Sequence, residues 1–253
     1  MTDKMAWEPL RRELDRWQAA GRVARFWLRD DDAVEPTPAL ETLTALAGES
    51  NVPLTLAVIP ALTGEALAAR LGEETAITVA VHGWSHTNHA GPEKKKQELG
   101  GERPADVVLG ELREGFRLLQ LLHPARFLPM LVPPWNRIDA SLVPALPGLG
   151  FTALSVYGRA RQDGPVPLLN THVDIIDWHG TRGGRGKAEL VAELVAELRD
   201  RFAGSEEPVG VLIHHLVHDA AAWDFLSALF AVTGRHAAVR WSSASELLEH
   251  VAQ

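Results

Sequence analysis

Short runs of β-branched and bulky apolar residues recur along the chain, and helix-length amphipathic segments separate them. Residues 23–28, 52–59, 76–81, 127–132, 151–156, 171–176 and 209–213 read as strands, with a last short one at 238–241. Helices are expected at 7–20, 36–48, 63–71, 104–122, 139–146, 187–202, 221–232 and 245–252. The most regular is 187–202, where Leu190, Val191, Leu194, Val195, Leu198 and Phe202 form one apolar stripe. Such alternation predicts an α/β fold, a parallel sheet covered by helices. Seven or eight strand–helix units in 253 residues favour a barrel. No linker divides it, so residues 1–253 are expected to form a single domain, entered through the helix at 7–20.

Polar residues follow the strands at their C-terminal ends, the rim on which barrels of this kind carry their chemistry. Asp31 and Asp32 follow the first strand, His82 and His86 the third, Trp135 and Asn136 the fourth, Asp177 the sixth and His214 the seventh. A helical turn past Val81 would put His82 and His86, four residues apart, on one face. The chain has no cysteine, so any metal site must be built from His, Asp and Glu. One carboxylate with two histidines is a common set for a catalytic divalent ion, and Asp32, His82 and His86 fit it. Asp31 would then be placed to accept a proton from water, and His214 to protonate a leaving group, with Asp177 fixing its tautomer. The plainer alternatives are a turn or cap for the three aspartates and core packing for the histidines. Trp27, Trp84, Trp135 and Trp178 lie close in sequence to these groups; they would either face a sugar ring or pack the barrel mouth.

Several classes are excluded. A formal net charge of −8 argues against a nucleic-acid partner. Nowhere do eighteen apolar residues run together, so no membrane span is expected. The first seventeen residues carry no export signal, and a cytoplasmic protein is expected. Lys94 to Lys96, flanked by Glu93 and Glu98, read as a solvated face. Residues 183–187 open a helix with three glycines but lack the first glycine and the Ser or Thr of a phosphate loop.

The ordered set of motifs resembles the NodB-type polysaccharide deacetylases, carbohydrate esterase family four. Asp31-Asp32 corresponds to the family's Asp-Asp motif, His82-Gly-Trp-Ser-His86 to its His-x-x-x-His, and Val132-Pro133-Pro134-Trp135 to Arg-Pro-Pro-Tyr. Asp177-Trp178 corresponds to its Asp-Trp and Leu212-Ile213-His214 to its Leu-x-His. The resemblance implies an irregular (β/α)7-type barrel and metal-dependent removal of an acetyl or related acyl group from an N-acylated sugar or similar amide. It also implies roles: Asp31 as base; Asp32, His82 and His86 as metal ligands; His214 as acid with Asp177 its partner. Trp178 and Leu212 would line the acyl pocket, and the Trp135 N–H would help hold an oxyanion. The implied ion is zinc, with cobalt, nickel or manganese as alternatives. The substrate is expected to be small or soluble, and no oligomeric state is implied.

Two departures stand out. Val132 replaces the family arginine that tunes the base, leaving Arg29, Arg137 and Arg161 as candidates for that duty. His89, His172 and His218 are extra histidines that could join the metal shell. Hydrolysis of an ester or a cyclic amide, or a catalytically silent carbohydrate-binding barrel, are the competing expectations.

Overall fold

The structure is a computed structural model that describes residues 5–160 and 164–251. In chain order its main elements are α1 (Glu8–Ala19), β1 (Ala24–Ala33), α2 (Pro38–Glu49), β2 (Leu54–Val58), α3 (Glu65–Leu71), β3 (Ile77–His82) and α4 (Ala105–Leu122). There follow β4 (Phe127–Val132), β5 (Ala153–Leu154), β6 (Val173–Asp174), α5 (Lys187–Ala203), β7 (Val209–Ile213), α6 (Ala220–Thr233), β8 (Val239–Trp241) and α7 (Ala244–Val251). The chain divides into two compact units, each discontinuous in sequence. The first comprises residues 1–30, 38–54 and 171–243, the second 31–37, 55–170 and 244–253.

In the first unit β1 lies between β7 and β8, parallel to both, and β7 pairs in parallel with β6. Every residue of β7 is buried, as are Phe26, Trp27 and Leu28 of β1. Strands covered on both faces read as unbroken apolar runs, which is the pattern in the sequence. α1 packs on α5, with Leu10 and Leu14 buried and Trp17 meeting Phe202 edge-on at 5.5 Å. Trp7 stacks on Phe225 of α6 with ring centroids 5.2 Å apart. Asp219 caps α6, its carboxylate accepting the Ala222 N–H at 2.9 Å.

In the second unit the strand order is β2–β3–β4–β5, with β4 parallel to both of its neighbours. α4 covers β3 and β4, and Gly115 permits the approach. A Cβ there would lie 2.9 Å from Pro60 Cγ and 3.4 Å from the Gly83 carbonyl oxygen. Phe116 of α4 meets Phe127 and Phe151 edge-on. The parallel α/β architecture read from the alternation is therefore present in both units. No described helix is long and apolar enough to cross a membrane.

Local differences have local causes. The expected helix at 139–146 is replaced by 3-10 turns at Val143–Ala145 and Pro147–Leu149, because Pro144 and Pro147 withhold the N–H groups an α-helix needs. β5 shrinks to two residues because the backbone beyond it is taken by residues 167–170. Leu169 donates to the Leu154 carbonyl, and Asn170 accepts the Val156 N–H. β1 is longer than expected and carries Asp30, Asp31 and Asp32 in the strand itself, not in a turn or a cap.

His123, just past α4, is only 4% exposed, and its Nε2 is buried without a hydrogen-bond partner. Burial, helped by the Arg126 charge, pushes its pKa down from 6.5 to about 4. The unfolded chain therefore takes up the proton first. Stability is complete above pH 6.5 and is lost as pH falls from there toward about 4. Thermal melts across that range should show the midpoint of wild type falling by a few degrees more than that of His123→Leu; equal slopes would assign the acid sensitivity elsewhere.

Candidate metal centre

In the second unit β3 delivers His82 at its last residue. The chain then bends with left-handed backbone at Gly83 (φ 58°) and at His86 (φ 57°), which excludes the helical turn expected from the four-residue spacing. The two imidazoles nevertheless converge. His82 Nε2 lies 3.1 Å and His86 Nε2 3.2 Å from the same oxygen, Asp32 Oδ1. Asp32 also has left-handed backbone, with φ 74°, at the end of β1. Among the described residues these three make the one cluster of ligand atoms within 4.8 Å of one another. His89, His172 and His218 contribute no atom to it.

The arrangement fits a divalent ion. Ligands about 2.0–2.1 Å from zinc at the tetrahedral angle stand roughly 3.3 Å apart, close to the separations found here. His82 Nδ1–H donates to the Val132 carbonyl at 2.9 Å, which fixes the ring and leaves an electron pair on Nε2. That pair faces the Asp32 oxygen, also an acceptor, so a proton or a cation must lie between them. The charges of the site express the same demand. Burial disfavours the His82 imidazolium, yet Asp31 and Asp32 outweigh it and hold its pKa above the ordinary value. His86 is displaced the opposite way, mainly by burial, with His82 adding to the effect and Asp32 opposing it.

Around the cluster, Asp31 is 1% exposed and acts on His82 through its charge. After β4 the chain makes a tight turn with Trp135 at φ 53°, ψ 20° and Asn136 at φ 57°. Left-handed backbone at a tryptophan is strained and persists only where the surroundings enforce it. The Trp135 ring lies 4.3 Å from that of His86, centroid to centroid.

The remaining expected residues belong to the first unit. His214 follows β7 and is 9% exposed; Trp178 meets it edge-on at 4.7 Å. The Trp178 indole N–H donates to Asp174 Oδ2 at 2.8 Å. Leu212 is buried within β7, in register with Arg29 on one side and Asp174 on the other. Asp177 does not partner His214. Its carboxylate accepts the N–H groups of Gly180 and Thr181 at 2.9 and 3.0 Å, which cap a turn and hold its pKa low. The carboxylate–histidine pair at this strand end is Asp30 with His215. The His215 backbone N–H reaches Asp30 Oδ1 at 2.8 Å and its ring Nδ1 lies 2.6 Å from Oδ2, both side chains essentially inaccessible. Burial raises the Asp30 pKa against the lowering influence of His215.

Of the three arginines considered for the duty of the missing one, Arg29 is fully buried on β1. Arg137 donates to the Lys96 carbonyl at 2.8 Å, and Arg161 lies outside the described residues. Lys94 to Lys96 are exposed, as expected. Glu98 is not on that solvated face: it is fully buried beneath the histidine loop. Its only sequence signal was a place beside a charged run, which pointed the wrong way.

No family model and no curated relative matches the sequence. Solved structures do match in fold. A Mycobacterium smegmatis protein assigned to the polysaccharide deacetylases superposes with a TM-score of 0.68 at 18% identity, over 92% of this chain and 91% of that one. The peptidoglycan deacetylase PdaC of Bacillus subtilis gives 0.57 at 16% identity, over 91% and 92%. A family 4 acetyl xylan esterase from Clostridium thermocellum, in complex with a cobalt ion, gives 0.54 at 15% identity, over 90% and 92%. The fold of the chain is thus that of the polysaccharide deacetylases and family 4 carbohydrate esterases.

The geometry predicts uptake of about one divalent ion per chain. Elemental analysis after dialysis against zinc should find it in wild type and find it largely lost in Asp32→Ala and His86→Ala. Equal metal content in all three would refute the site.

Proposed function

We propose that this chain is a metal-dependent hydrolase that removes an acetyl or related acyl group from an N-acylated sugar or a similar amide. The observation that carries the reading is the convergence of Asp32, His82 and His86 on one point, with the buried Asp31 beside them. The shared fold supports it, since the neighbours include peptidoglycan deacetylases and an acetyl xylan esterase.

In this reading Asp32, His82 and His86 hold the ion, zinc being the natural choice for such a set, with cobalt, nickel and manganese also suited to it. A divalent ion held there would supply Lewis acidity, the chemistry that polarises a carbonyl and acidifies water. Asp31 takes the proton from the attacking water. The strained turn at Trp135 presents its backbone N–H to the oxyanion, a contribution worth about 2.7–4 kcal/mol for a single donor in other acyl-transfer enzymes. His214 returns a proton to the departing nitrogen, which would otherwise leave as a strongly basic anion. Trp178, edge-on to that ring, restricts its rotation, and Trp178 and Leu212 are the proposed lining of the acyl pocket. The substrate is a small or soluble acylated carbohydrate or amide, and the place of action is the cytoplasm. An ester is the second reading, favoured by the esterase among the neighbours, because the same residues would serve a better leaving group.

Asp31→Asn keeps the size of the side chain and removes the base. On a panel of N-acetylated sugars and acetyl esters, acetate release should fall by about 10²–10⁴-fold while metal content stays at the wild-type level. Undiminished turnover by that variant would remove Asp31 from its role; release from esters alone would select the second reading.

A further inference from the structure

Glu98 lies on the long connection between β3 and α4, sixteen residues after His82, and is fully buried. A buried carboxylate is costly unless its oxygens are satisfied, and here each of them faces the histidine loop. Oε2 accepts the Trp84 N–H at 3.1 Å. Oε1 accepts the Ser85 N–H at 2.7 Å and the Ser85 hydroxyl at 3.0 Å. Trp84 and Ser85 are two of the three residues between the histidines, so one side chain holds the main chain that spaces the two imidazoles. The fit is tight on the other side as well. A Cβ at Gly83 would stand 2.1 Å from Glu98 Oε2 and 2.6 Å from Pro134, so only glycine lets the carboxylate reach its donors. Glu98 itself is anchored through its neighbour: Leu99 is buried, bridges to Ile138, and accepts the Asp139 N–H at 2.7 Å. Glu98 does not belong to the ligand cluster.

We infer that Glu98 is a positioning residue that pre-forms the metal site, holding His86 against Asp32 by clamping the Trp84 and Ser85 amides. The inference rests on the reading of Asp32, His82 and His86 as metal ligands. A left-handed His86 is not a conformation the chain would hold unaided, and the clamp is what over-determines it. Groups that orient metal ligands without touching the ion typically change affinity by about 10–100-fold when altered. Glutamine would fit the same space but offers one acceptor oxygen, and its NH₂ group would be turned against an N–H or hydroxyl donor.

The test is a cobalt(II) titration of the full chain followed by visible absorption, with circular dichroism melts as the control for folding. Wild type is expected to bind about one cobalt with a ligand-field spectrum of low coordination number. Glu98→Gln should fold yet bind about tenfold or more weakly, with an altered band. Glu102→Gln, which loses a surface ion pair with Lys94, should match wild type in both. Unchanged affinity and spectrum in Glu98→Gln, whatever its melting temperature, would overturn the positioning role. Wild type that binds no cobalt would instead overturn the metal site and the inference with it. Should Glu98→Gln fail to fold, amide exchange in metal-free wild type decides: the Trp84 and Ser85 amides should be protected by roughly tenfold or more over an unstructured chain, and unprotected amides would overturn the proposal.

Discussion

An electron pair on His82 Nε2 aimed at a carboxylate oxygen 3.1 Å away is the constraint on which the rest of the second unit turns. While His82 is neutral neither atom can satisfy the other, and the ring cannot rotate out of the conflict because Nδ1–H is spent on the Val132 carbonyl. Only a positive charge between them removes the repulsion. His86 brings a second nitrogen to the same oxygen, a convergence that a cation shared by several donors would suit. The raised pKa of His82 and the polarity built around it are two expressions of that one geometry.

The fold supplies part of this arrangement by ending β3 and β4 in register, His82 opposite Val132. β3 and β4 stop with His82 and with the Val132 carbonyl that the site uses, and Asp32 is the last residue but one of β1. Beyond those ends the chain is bent sharply. Four of the six non-glycine residues with left-handed backbone among those described are Asp32, His86, Trp135 and Asn136. Each such conformation costs on the order of 1–3 kcal/mol in a residue that is not glycine. Strain concentrated at one place, and nearly absent from the rest of the described chain, is stability given up for geometry. The buried strands below, with Val79, Val81, Met130 and Leu131 fully inaccessible, are what can sustain it.

Much of this was legible in the residues because it lay in periodicity and order. Strand and helix alternation set the parallel α/β architecture, and the polar residues at strand ends marked Asp32, His82 and His86 before any contact was known. What escaped is instructive. The histidine pair converged through a bent loop and not through a helix, since its spacing of four has no unique backbone solution. Glu98 looked like one more charge in a solvated run, because nothing local distinguishes a buried carboxylate whose donors lie thirteen and fourteen residues earlier. Asp30 is adjacent to Asp31, and a one-residue step along a strand moves a side chain to the other face; His215 lies past the end of β7, in a 3-10 turn whose direction the sequence does not set. The carboxylate expected beside His214 was therefore assigned to Asp177, which instead closes its own turn.

The valine at 132 stands where the motif that the sequence resembles has an arginine, and its position still serves the cluster. What the site takes from residue 132 is its carbonyl oxygen, which fixes the His82 tautomer, and any residue in the strand supplies that. A valine there brings no positive charge to the neighbourhood of Asp31 but still orients His82 through its carbonyl. On the proposed reading the two duties are separable: main chain and Glu98 would carry the ligand geometry, and the poise of Asp31 as base would fall to whichever cations approach it. A divalent ion at Asp32, His82 and His86 would itself be the largest positive charge near Asp31, outweighing a single guanidinium at comparable range. On that footing the proposed chemistry would not require the arginine.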